Sequence, residues 1–413
     1  MKQAINNKSS IKTKEFHNSL IPIDWEIKKL VDCCLIKGEY GINAAAVEYS
    51  VELPTYIRIT DIDDDGNYSA IKKASVNDEN FGNYILSKGD MLFARTGATV
   101  GKTYLYNEND GDLVFAGFLI RFRPNEKILL AQHLKHFTST KTYWDWVKTV
   151  SMRSGQPGIN AEEYGSLKLP LPPLPEQKSI AHILGLLDNA INLNNQIIAQ
   201  KELRKKWLMQ QLLTGKKRLK GFENEKWKNV RMSDVTTNFS RRNKDLVDAK
   251  IYSVTNIKGF VLQSDHFERE IAGDDLSNYK IIKKNEFAYN PARINVGSIA
   301  YFENEIGVIS SLYVCFSTKE NILDYYLLQF LEIDHTKYQI ETLGEGGVRV
   351  YLWYDLFAKI KIKLPSIDEQ AAIVQVLQSA DKEIQLLKTK TVKLKEQKKG
   401  LMQQLLSGKL RVI

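Results

Sequence analysis

The sequence has few of the residues from which disulfide frameworks and metal sites are built. Its 413 residues include three cysteines, Cys33, Cys34 and Cys315, and six histidines. Cysteines at this spacing form neither a disulfide framework nor a metal-ligand motif. His133 and His136 are three residues apart but have no cysteine or carboxylate companions in a recognisable motif. The sequence therefore predicts no zinc site.

A long apolar segment is also absent. No hydrophobic run reaches the length that crosses a membrane, and residues 1–17 lack the apolar stretch of a signal peptide. We therefore expect a flexible polar tail at 1–17 and a cytoplasmic protein without membrane association. Hydrophobic residues make up 43% of the chain, enough for a sizeable core, and the length suggests roughly two to four domains.

Positive charge exceeds negative charge. Lysine and arginine number 58 against 49 aspartates and glutamates, which gives a net charge of +9 and a pI near 9.1. This balance favours a polyanionic partner. A basic protein without such a partner would have the same balance, so charge alone does not decide between the two.

The strongest pattern is an internal repeat. Leu171–Gln177 reads Leu-Pro-Pro-Leu-Pro-Glu-Gln, and Leu364–Gln370 reads Leu-Pro-Ser-Ile-Asp-Glu-Gln. Met209–Lys216 likewise returns as Met402–Lys409. Aligned without a gap, the two segments agree at roughly 20 of about 48 positions. Each repeat follows a longer and less similar segment, so the molecule is predicted to consist of two halves, which suits a target with two halves.

The repeated segments are predicted to form two long helices. Each follows a proline-containing start, carries apolar residues at heptad spacing and spans about 38 residues, or ~57 Å. Gly215 ends the first helix, and its apolar stripe turns polar at Asn194, Lys201 and Lys205. One stripe per helix needs a partner, so we expect an antiparallel pair with a globular domain at each end and approximate twofold symmetry. The predicted seam residues are Ile180, Leu184, Leu187, Ile191, Ile198 and Leu208 in the first helix, and Ile373, Leu377, Ile384, Leu387, Leu394 and Leu401 in the second.

The longer segments are predicted to be strand-rich domains of similar outline, which makes the fold class α+β. Tyr56–Ile62 and Ile251–Ile257 both alternate like strands, and Gln132–Val150 has the pattern of one helix. The predicted order is a tail at 1–17, a domain at 18–170, a helical segment at 171–218, a second domain at 219–363 and a second helical segment at 364–413.

Two motifs resemble catalytic signatures but are incomplete. Gly97–Thr103 is one residue shorter than a phosphate-binding P-loop, so a strand-to-strand turn carrying Arg95 and Lys102 is favoured over a nucleotide site. Tyr289–Ala292 contains Asn-Pro but lacks the second proline and the aromatic residue of amino-methylating DNA enzymes. We find no nuclease carboxylate cluster, helicase motif or nucleophile elbow in the sequence.

Gly-rich basic loops lie at equivalent places in the two domains. Ser151–Gly158 precedes the first repeat, and Leu343–Arg349 precedes the second. Glycine allows close approach to a surface, and arginine or glutamine can form paired hydrogen bonds with base edges. Flexible turns with solvated arginines are the alternative. The candidate DNA-contacting residues are Arg58, Thr60, Arg95, Thr96, Lys102, Arg153 and Gln156 in the first domain, and Thr255, Asn256, Arg293, Asn295 and Arg349 in the second.

Over nearly its whole length the chain resembles the specificity subunit of a type I restriction–modification system. The resemblance depends on the two Pro-Glu-Gln-type motifs, the Gln-Gln-Leu-Leu-x-Gly-Lys helix ends at 210–216 and 403–409, and the stretch at 88–97. It implies two target-recognition domains separated by an antiparallel two-helix coiled coil. Each domain would read one half of a split double-stranded DNA target. The second motif departs from the first at Ser366–Asp368, which leaves the start of the second helix less well defined.

The same resemblance implies a chain without catalysis of its own. It would recruit two methylation subunits and, in the full complex, two restriction subunits. S-adenosylmethionine, ATP and Mg²⁺ would be bound by those partners, and this chain would bind no cofactor or metal. Two alternatives stay open: a self-sufficient DNA methyltransferase or restriction enzyme, and a coiled-coil interaction protein without DNA specificity. The first would need a cofactor-binding Gly loop and an intact Asn-Pro-Pro motif, and the second would not need two divergent domains with matched basic loops.

Overall fold

The computed structural model describes residues 12–17, 19–152, 156–266, 276–345 and 351–412. The chain folds into two compact units. Unit 1 comprises the chain up to residue 194 together with residues from 390 onward, and unit 2 comprises residues 195–389. Each unit therefore contains one globular domain and one half of each long helix.

Unit 1 is built on two four-stranded sheets, with strand orders β10-β6-β7-β5 and β4-β11-β8-β9. Two short antiparallel pairs, β1–β2 and β3–β12, complete it. Its strands are β1 (Thr13–Phe16), β2 (Ser19–Pro22), β3 (Glu26–Lys29), β4 (Cys34–Tyr40), β5 (Ala46–Glu48), β6 (Thr55–Ile57), β7 (Ala74–Val76), β8 (Met91–Ala94), β9 (Thr103–Leu105), β10 (Leu113–Phe115), β11 (Leu119–Pro124) and β12 (Lys168–Leu171). Its helices are α1 (Ala131–Phe137), α2 (Lys141–Val150) and α3 (Ala161–Gly165), and the long helix α4 (Leu174–Leu212) follows.

Unit 2 repeats this plan. Its sheets have the orders β14-β21-β18-β19 and β16-β15-β20-β17, and β13 pairs with β22 as β3 pairs with β12. Its strands are β13 (Lys228–Arg231), β14 (Thr236–Phe239), β15 (Ile251–Thr255), β16 (Gly259–Leu262), β17 (Lys280–Lys283), β18 (Glu286–Tyr289), β19 (Ile299–Phe302), β20 (Ile306–Ile309), β21 (Val314–Thr318) and β22 (Lys361–Leu364). Its helices are α5 (Met232–Val235), α6 (Gln263–His266), α7 (Asp324–Leu331), α8 (Asp334–Leu343) and α9 (Tyr354–Phe357), and the long helix α10 (Ile367–Leu405) follows.

Helices α4 and α10 run antiparallel within each unit. In unit 2, Lys205 pairs with Asp381 at 2.6 Å. In unit 1, the repeat-equivalent pair of Lys398 and Asp188 also lies at 2.6 Å, and the buried Asn194 side chain donates to Thr391 Oγ1 at 2.6 Å. The polar seam positions therefore carry interhelical bonds that fix the register of the two helices. The predicted α+β class with antiparallel long helices is confirmed.

The predicted seam residues differ in burial. The buried members all lie in the N-terminal half of each helix, and most of the half-buried members lie in the C-terminal half. The buried members are Ile180, Leu184, Ile191, Ile373, Leu377 and Ile384, and the half-buried members are Leu187, Ile198, Leu208, Leu387, Leu394 and Leu401.

The repeated Glu-Gln dipeptide holds each domain on its helix. Gln177 accepts from Leu130 N–H at 3.0 Å and donates to Ile128 O. Gln370 does the same with Leu323 N–H, at 2.9 Å, and with Asn321 O. Both glutamines are fully buried, so these bonds satisfy buried backbone groups that would otherwise have no hydrogen-bond partner. The motif that marks the repeat is therefore a structural joint.

The neighbouring glutamate forms a second joint. Glu176 is buried and accepts from Trp25 Nε1 at 3.1 Å and from Arg411 Nε at 2.6 Å. Glu369 accepts equivalent bonds from Trp227 Nε1 and Arg218 Nε, both at 2.7 Å. The buried carboxylates are thus paired and hydrogen-bonded, as burial of charge requires.

The flexible tail predicted at 1–17 is wrong for its last residues, because Thr13–Phe16 forms β1 and Phe16 is buried. The strand predicted at Ile251–Ile257 is confirmed only up to Thr255, where β15 ends.

Two further predicted elements are interrupted by local hydrogen bonds. The predicted strand Tyr56–Ile62 ends at Ile57, because a 3₁₀ turn at Ile59–Asp61 follows, capped by the Asp61 carboxylate on Arg58 N–H. The predicted helix Gln132–Val150 is two helices, α1 and α2, because Thr140 Oγ1 accepts from Tyr143 N–H and starts a new helix there. Local side-chain-to-backbone bonds overrode the hydrophobic periodicity in both cases.

In the described part of the chain, no helix has the length and apolar character needed to cross a membrane.

Candidate nucleic-acid interface

In unit 1 the turn between β8 and β9 is held by backbone and side-chain hydrogen bonds. Ala94 N–H donates to Lys102 O at 2.8 Å and Gly101 N–H to Ala94 O at 3.0 Å. Tyr164 Oη donates to Ala94 O and Tyr143 Oη to Gly101 O, both at 2.7 Å, and burial raises the pKa of both phenols above the ordinary value, which keeps them donors. The predicted strand-to-strand turn at Gly97–Thr103 is confirmed.

Gly101 is required at this turn. Its φ is +88°, and a Cβ there would lie 2.6 Å from Val147 Cγ1. Any side chain would force α2 away from the turn, so the sequence uses the residue that has none.

The loop before α3 lies against the same turn. Thr96 and Gly158 form a β-bridge, Gly97 N–H donates to Pro157 O at 3.0 Å, and Ile159 N–H donates to Arg95 O at 2.9 Å. Arg95, Thr96 and the exposed Gln156 are therefore neighbours, although some 60 residues separate them in the chain. Arg153 lies outside the described residues.

The surface around Arg95 has aromatic members that sequence reasoning missed. The Arg95 guanidinium lies over the Tyr40 ring, 4.9 Å from its centroid. Arg95 N–H donates to Phe118 O, and Phe118 is 59% exposed. Phe118 stands within a run that reads as an ordinary strand, so its exposure had no signal in the sequence. A planar cation and exposed rings beside a glycine turn are groups that bind base edges and faces.

Other candidates of unit 1 are engaged within the protein. The Arg58 guanidinium makes two hydrogen bonds of 2.8 Å to Asp61, which raise the pKa of Arg58. Lys102 Nζ lies 2.7 Å from an Asp64 carboxylate oxygen, and this contact lowers the pKa of Asp64. Thr60 is exposed beside Arg58. Arg58 thus shapes the 3₁₀ turn, while Arg95 keeps its donors unpaired with carboxylates in the described part of unit 1.

Unit 2 forms the matching turn between β18 and β19. Asn290 N–H donates to Ser298 O at 2.9 Å, as Ala94 does to Lys102, and Gly297 has a φ of +89°, as Gly101 has +88°. The turn carries the exposed Arg293 and the half-buried Asn295. The Asn290 carboxamide caps it by accepting from Ala292 N–H at 3.0 Å. The incomplete methyltransferase-like motif is therefore part of a structural turn.

The remaining candidates of unit 2 adjoin this turn. Thr255 ends β15, and its hydroxyl donates to Gly259 O in the hairpin to β16. Ser298 Oγ donates to Val254 O at 3.1 Å, which joins the hairpin carrying Thr255 and Asn256 to the Arg293 turn. Leu352 N–H donates to Pro291 O, so the loop after α8 also reaches the turn. Arg349 lies outside the described residues.

Exposed apolar side chains recur beside the second turn. Leu312 is 68% exposed and precedes β21 as Phe118 precedes β11. Ile257 is 87% exposed at the hairpin tip, and Tyr351 and Trp353 stack with an interplanar angle of 13°. Each unit thus presents a glycine-containing turn, an arginine and a neighbouring exposed apolar residue.

The described part of this surface has hydrogen-bonding capacity but contains no recognisable activated nucleophile. Burial raises the pKa of Cys33 and Cys315 to about 11 and of Cys34 to about 12, so the thiols stay protonated and unreactive. Among the residues that the structure describes, no group of three or more His, Cys, Asp or Glu side chains is placed to hold a metal ion. The arrangement suits recognition by hydrogen bonds and stacking.

Comparison with known proteins gives a consistent result. The model of the family described as "Type I restriction modification DNA specificity domain" matches residues 22–203 and again residues 224–396. The two matches follow the internal repeat and together cover most of the chain.

Two proteins of Methanocaldococcus jannaschii are similar over nearly the full length. One, assigned as the type I restriction enzyme MjaX specificity subunit, is 28% identical over 421 residues, covering 95% of each chain. The other, the type I restriction enzyme MjaVIII specificity subunit, is 25% identical and covers 97% of this chain and 96% of its own.

Among solved structures, the type I restriction-modification S subunit from M. genitalium aligns with a TM-score of 0.55 at 14% identity, covering 95% of this chain and 97% of its own. A chain from a structure titled for complex assembly and conformational transition of the type I R-M system also gives 0.55, at 16% identity and with 94% and 99% coverage. At these identities the likeness shows the fold alone.

Proposed function

Because this chain belongs to the type I restriction modification DNA specificity domain family, we propose that it is the specificity subunit of a type I restriction–modification complex. It reads a split double-stranded DNA target, one half with each unit. Full-length relatives that are named as specificity subunits support this function.

The observation that carries the proposal is the pair of matched turns. Arg95 in unit 1 and Arg293 in unit 2 lie on equivalent turns held by the same hydrogen bond pattern and an equivalent left-handed glycine. The scaffold is the same while the side chains on it differ. Recognition of two different half-sites requires two different DNA-contacting surfaces, and a shared scaffold can present both in the same way.

The chain's own groups account for binding and orientation. Lysines and arginines attract the duplex and contact phosphates, which sets its position. Arginine, asparagine, glutamine and threonine at the turns then discriminate between base edges. The interhelical bonds of Lys205 and Lys398 keep the two helices in one register. Each domain is joined to the helices through its buried glutamate and glutamine, so its turn is held on a rigid support.

In this proposal the chemistry belongs to partners. The chain has no catalytic role and binds no cofactor. Two methylation subunits supply S-adenosylmethionine chemistry and two restriction subunits supply ATP- and Mg²⁺-dependent cleavage, in the cytoplasm. The Asn-Pro segment at 290–291 supports this division, since its carboxamide is used as a turn cap.

The test uses Arg95→Ala and Arg293→Ala in the chain assembled with its methylation subunits. Binding is measured to the target duplex and to two duplexes in which one half-site or the other is scrambled. If Arg95 reads a base, its loss costs about 1–3 kcal/mol on the target and removes discrimination in one half-site only. Arg293→Ala should show the same effect in the other half-site.

The undisturbed half-site is the internal control of each variant. Equal loss on all three duplexes, together with a shallower salt dependence, would make these arginines phosphate contacts. Methyl transfer by the purified chain without methylation subunits would contradict the proposal and favour a self-sufficient enzyme.

A further inference from the structure

Each unit presents a protruding apolar side chain beside its DNA-reading turn. Phe118 in unit 1 is 59% exposed, and Leu312 in unit 2 is 68% exposed. Each lies directly before a run of four buried residues, so the chain leaves the sheet at this point and the side chain stands in water. A single exposed apolar residue is common on protein surfaces, but these two recur at one place in the repeat.

Strand register shows that the two positions are equivalent. Two residues after each protruding side chain, Ile120 pairs with Phe93 in unit 1 and Val314 pairs with Tyr289 in unit 2. Phe93 and Tyr289 are themselves equivalent, because in both units the N–H group of the next residue closes the reading turn. The protruding side chain therefore has the same relation to the reading turn in both units.

Both side chains stand at the tip of a tight turn. Residues 116–119 and 310–313 each form a turn in which the last N–H donates to the first carbonyl oxygen, at 2.8 and 3.2 Å. The protruding residue is the third of the four residues in each turn, and the residue before it is small, Gly117 or Ser311. A turn closed in this way holds its central residues away from the sheet, so the apolar side chain is the outermost large group of the turn.

Neighbouring segments hold both turns in place. In unit 1, Arg95 N–H donates to Phe118 O at 3.0 Å, which ties the tip directly to the reading turn. In unit 2, Lys280 Nζ donates to Tyr313 O at 2.5 Å, and Val254 N–H donates to Tyr313 Oη at 3.1 Å. Each apolar side chain thus has a fixed support, which lowers the ordering cost when it is pressed against a ligand.

The polar side chains beside the two tips differ, whereas the apolar character of the tip is shared. The reading turn of unit 1 carries Arg95 and Thr96, and that of unit 2 carries Arg293 and Asn295. Side chains that read two different half-sites are expected to differ. A feature common to both units indicates instead a step that both half-sites undergo. Phenylalanine and leucine are among the side chains that proteins insert between base pairs to unstack them and kink the duplex.

We propose that Phe118 and Leu312 are apolar wedges, each of which inserts at one base step of its own half-site and unstacks it. This inference rests on the proposed function, because it requires that each unit bind one half-site. An enzyme that modifies a base must first take that base out of the stack, which costs unstacking energy. The wedges supply part of that unstacking when the chain binds, so they prepare the DNA for the methylation subunits.

The test places 2-aminopurine, whose fluorescence rises when it is unstacked, at successive positions of each half-site in the target duplex. The full chain with its methylation subunits is added at concentrations that saturate the DNA, so that weaker binding alone cannot remove the signal. Wild type is compared with Phe118→Ala, Leu312→Ala and the conservative Phe118→Leu. Val51→Ala, in the loop after β5 and at a side chain 87% exposed, is the matched control. All these side chains are exposed, so thermal unfolding should be unchanged.

We expect the wild type to raise the fluorescence at one step in each half-site. Phe118→Ala should remove the rise in the half-site of unit 1 only, and Leu312→Ala in that of unit 2 only. Each should weaken binding to the target by about tenfold. Phe118→Leu should keep most of the rise, and Val51→Ala should keep both rises. No rise with the wild type, or a rise that persists in the alanine variants, would overturn the inference.

Two other results would assign the tips to a different contact and make the inference wrong. If uracil in place of a thymine weakens binding of the wild type but not of Phe118→Ala, and both give the same fluorescence, the ring contacts a thymine methyl group. If Phe118→Ala weakens binding of the methylation subunit in the absence of DNA, the ring belongs to a protein interface. The failure of the wild-type complex to bind a split target would instead overturn the proposed function, and the wedge assignment with it.

Discussion

At the scale of the residue, four side chains explain why the two repeats share their signature. Glu176 and Glu369 are buried and each accepts from a tryptophan and an arginine. Gln177 and Gln370 satisfy backbone groups of the globular domain. A substitution that changes shape or charge at any of these positions should lower folding stability, because it would leave a buried hydrogen-bonding partner unsatisfied. The repeated Glu-Gln dipeptide therefore attaches each globular domain to its long helix.

Gln370→Ala tests this joint. The substitution removes the acceptor of Leu323 N–H and the donor to Asn321 O and Pro365 O. We expect unit 2 to lose about 2–3 kcal/mol of unfolding free energy, since several buried groups lose partners together. Urea unfolding measures the loss. Gln375→Ala, at an exposed position of the same helix, is the control and should change stability by less than about 0.5 kcal/mol.

A buried histidine predicts a pH dependence of stability. His133 is 2% exposed, its Nδ1 has no hydrogen-bond partner, and burial lowers its pKa from 6.5 to about 3. Between these pH values the unfolded chain binds a proton at His133 that the folded chain does not, so stability is full above about pH 6.5 and falls as the pH is lowered.

The expected loss from His133 between pH 7 and pH 5 is roughly 2 kcal/mol. Urea unfolding at both pH values measures it, in the wild type and in His133→Gln. Other groups contribute equally to the two proteins, so the variant should lose less stability than the wild type. An identical loss in the variant would show that His133 is protonated in the folded state.

At the scale of the element, hydrophobic periodicity predicted α4 and α10 well because their apolar seam extends over many turns. Shorter elements were harder to predict. Arg58 and Asp61 end a strand, and Thr140 divides one apolar stretch into two helices. Both do so through a few local hydrogen bonds, which leave the hydrophobic period unchanged. The turn that carries Arg95 was predicted from its glycines, whereas Arg293 was identified only as a candidate DNA contact and its turn was not predicted. The exposure of Phe118 and Leu312 was not predicted either, because it depends on how the sheet edge is covered.

Leu184→Asp tests the packing of α4. Leu184 is fully buried against Met402 and Leu405 of α10 and against the β1–β2 hairpin. An unpaired charge there should cost about 3–5 kcal/mol, because the aspartate loses its hydration without gaining a partner. Leu186→Asp, two positions away and 56% exposed, is the matched control. Thermal unfolding compares them, and equal destabilisation by both variants would contradict the described face of α4.

At the scale of the whole molecule, one architecture occurs twice with different surface loops. The sheets, the turn glycines and the Glu-Gln joints correspond between unit 1 and unit 2, while the residues on the turns do not. Each domain is bound to its own half of the helix pair through contacts within its unit. We therefore expect recognition by one domain to be independent of the other, because each domain is held by local contacts of its own.

The most direct test of this independence is an exchange of residues 219–363 for the equivalent segment of a relative, followed by sequencing of the methylated sites made by the chimera with the methylation subunits. The account predicts that one half of the recognised sequence changes while the other half and methylation itself persist. A change in both halves, or loss of methylation by a chimera that remains folded, would contradict it.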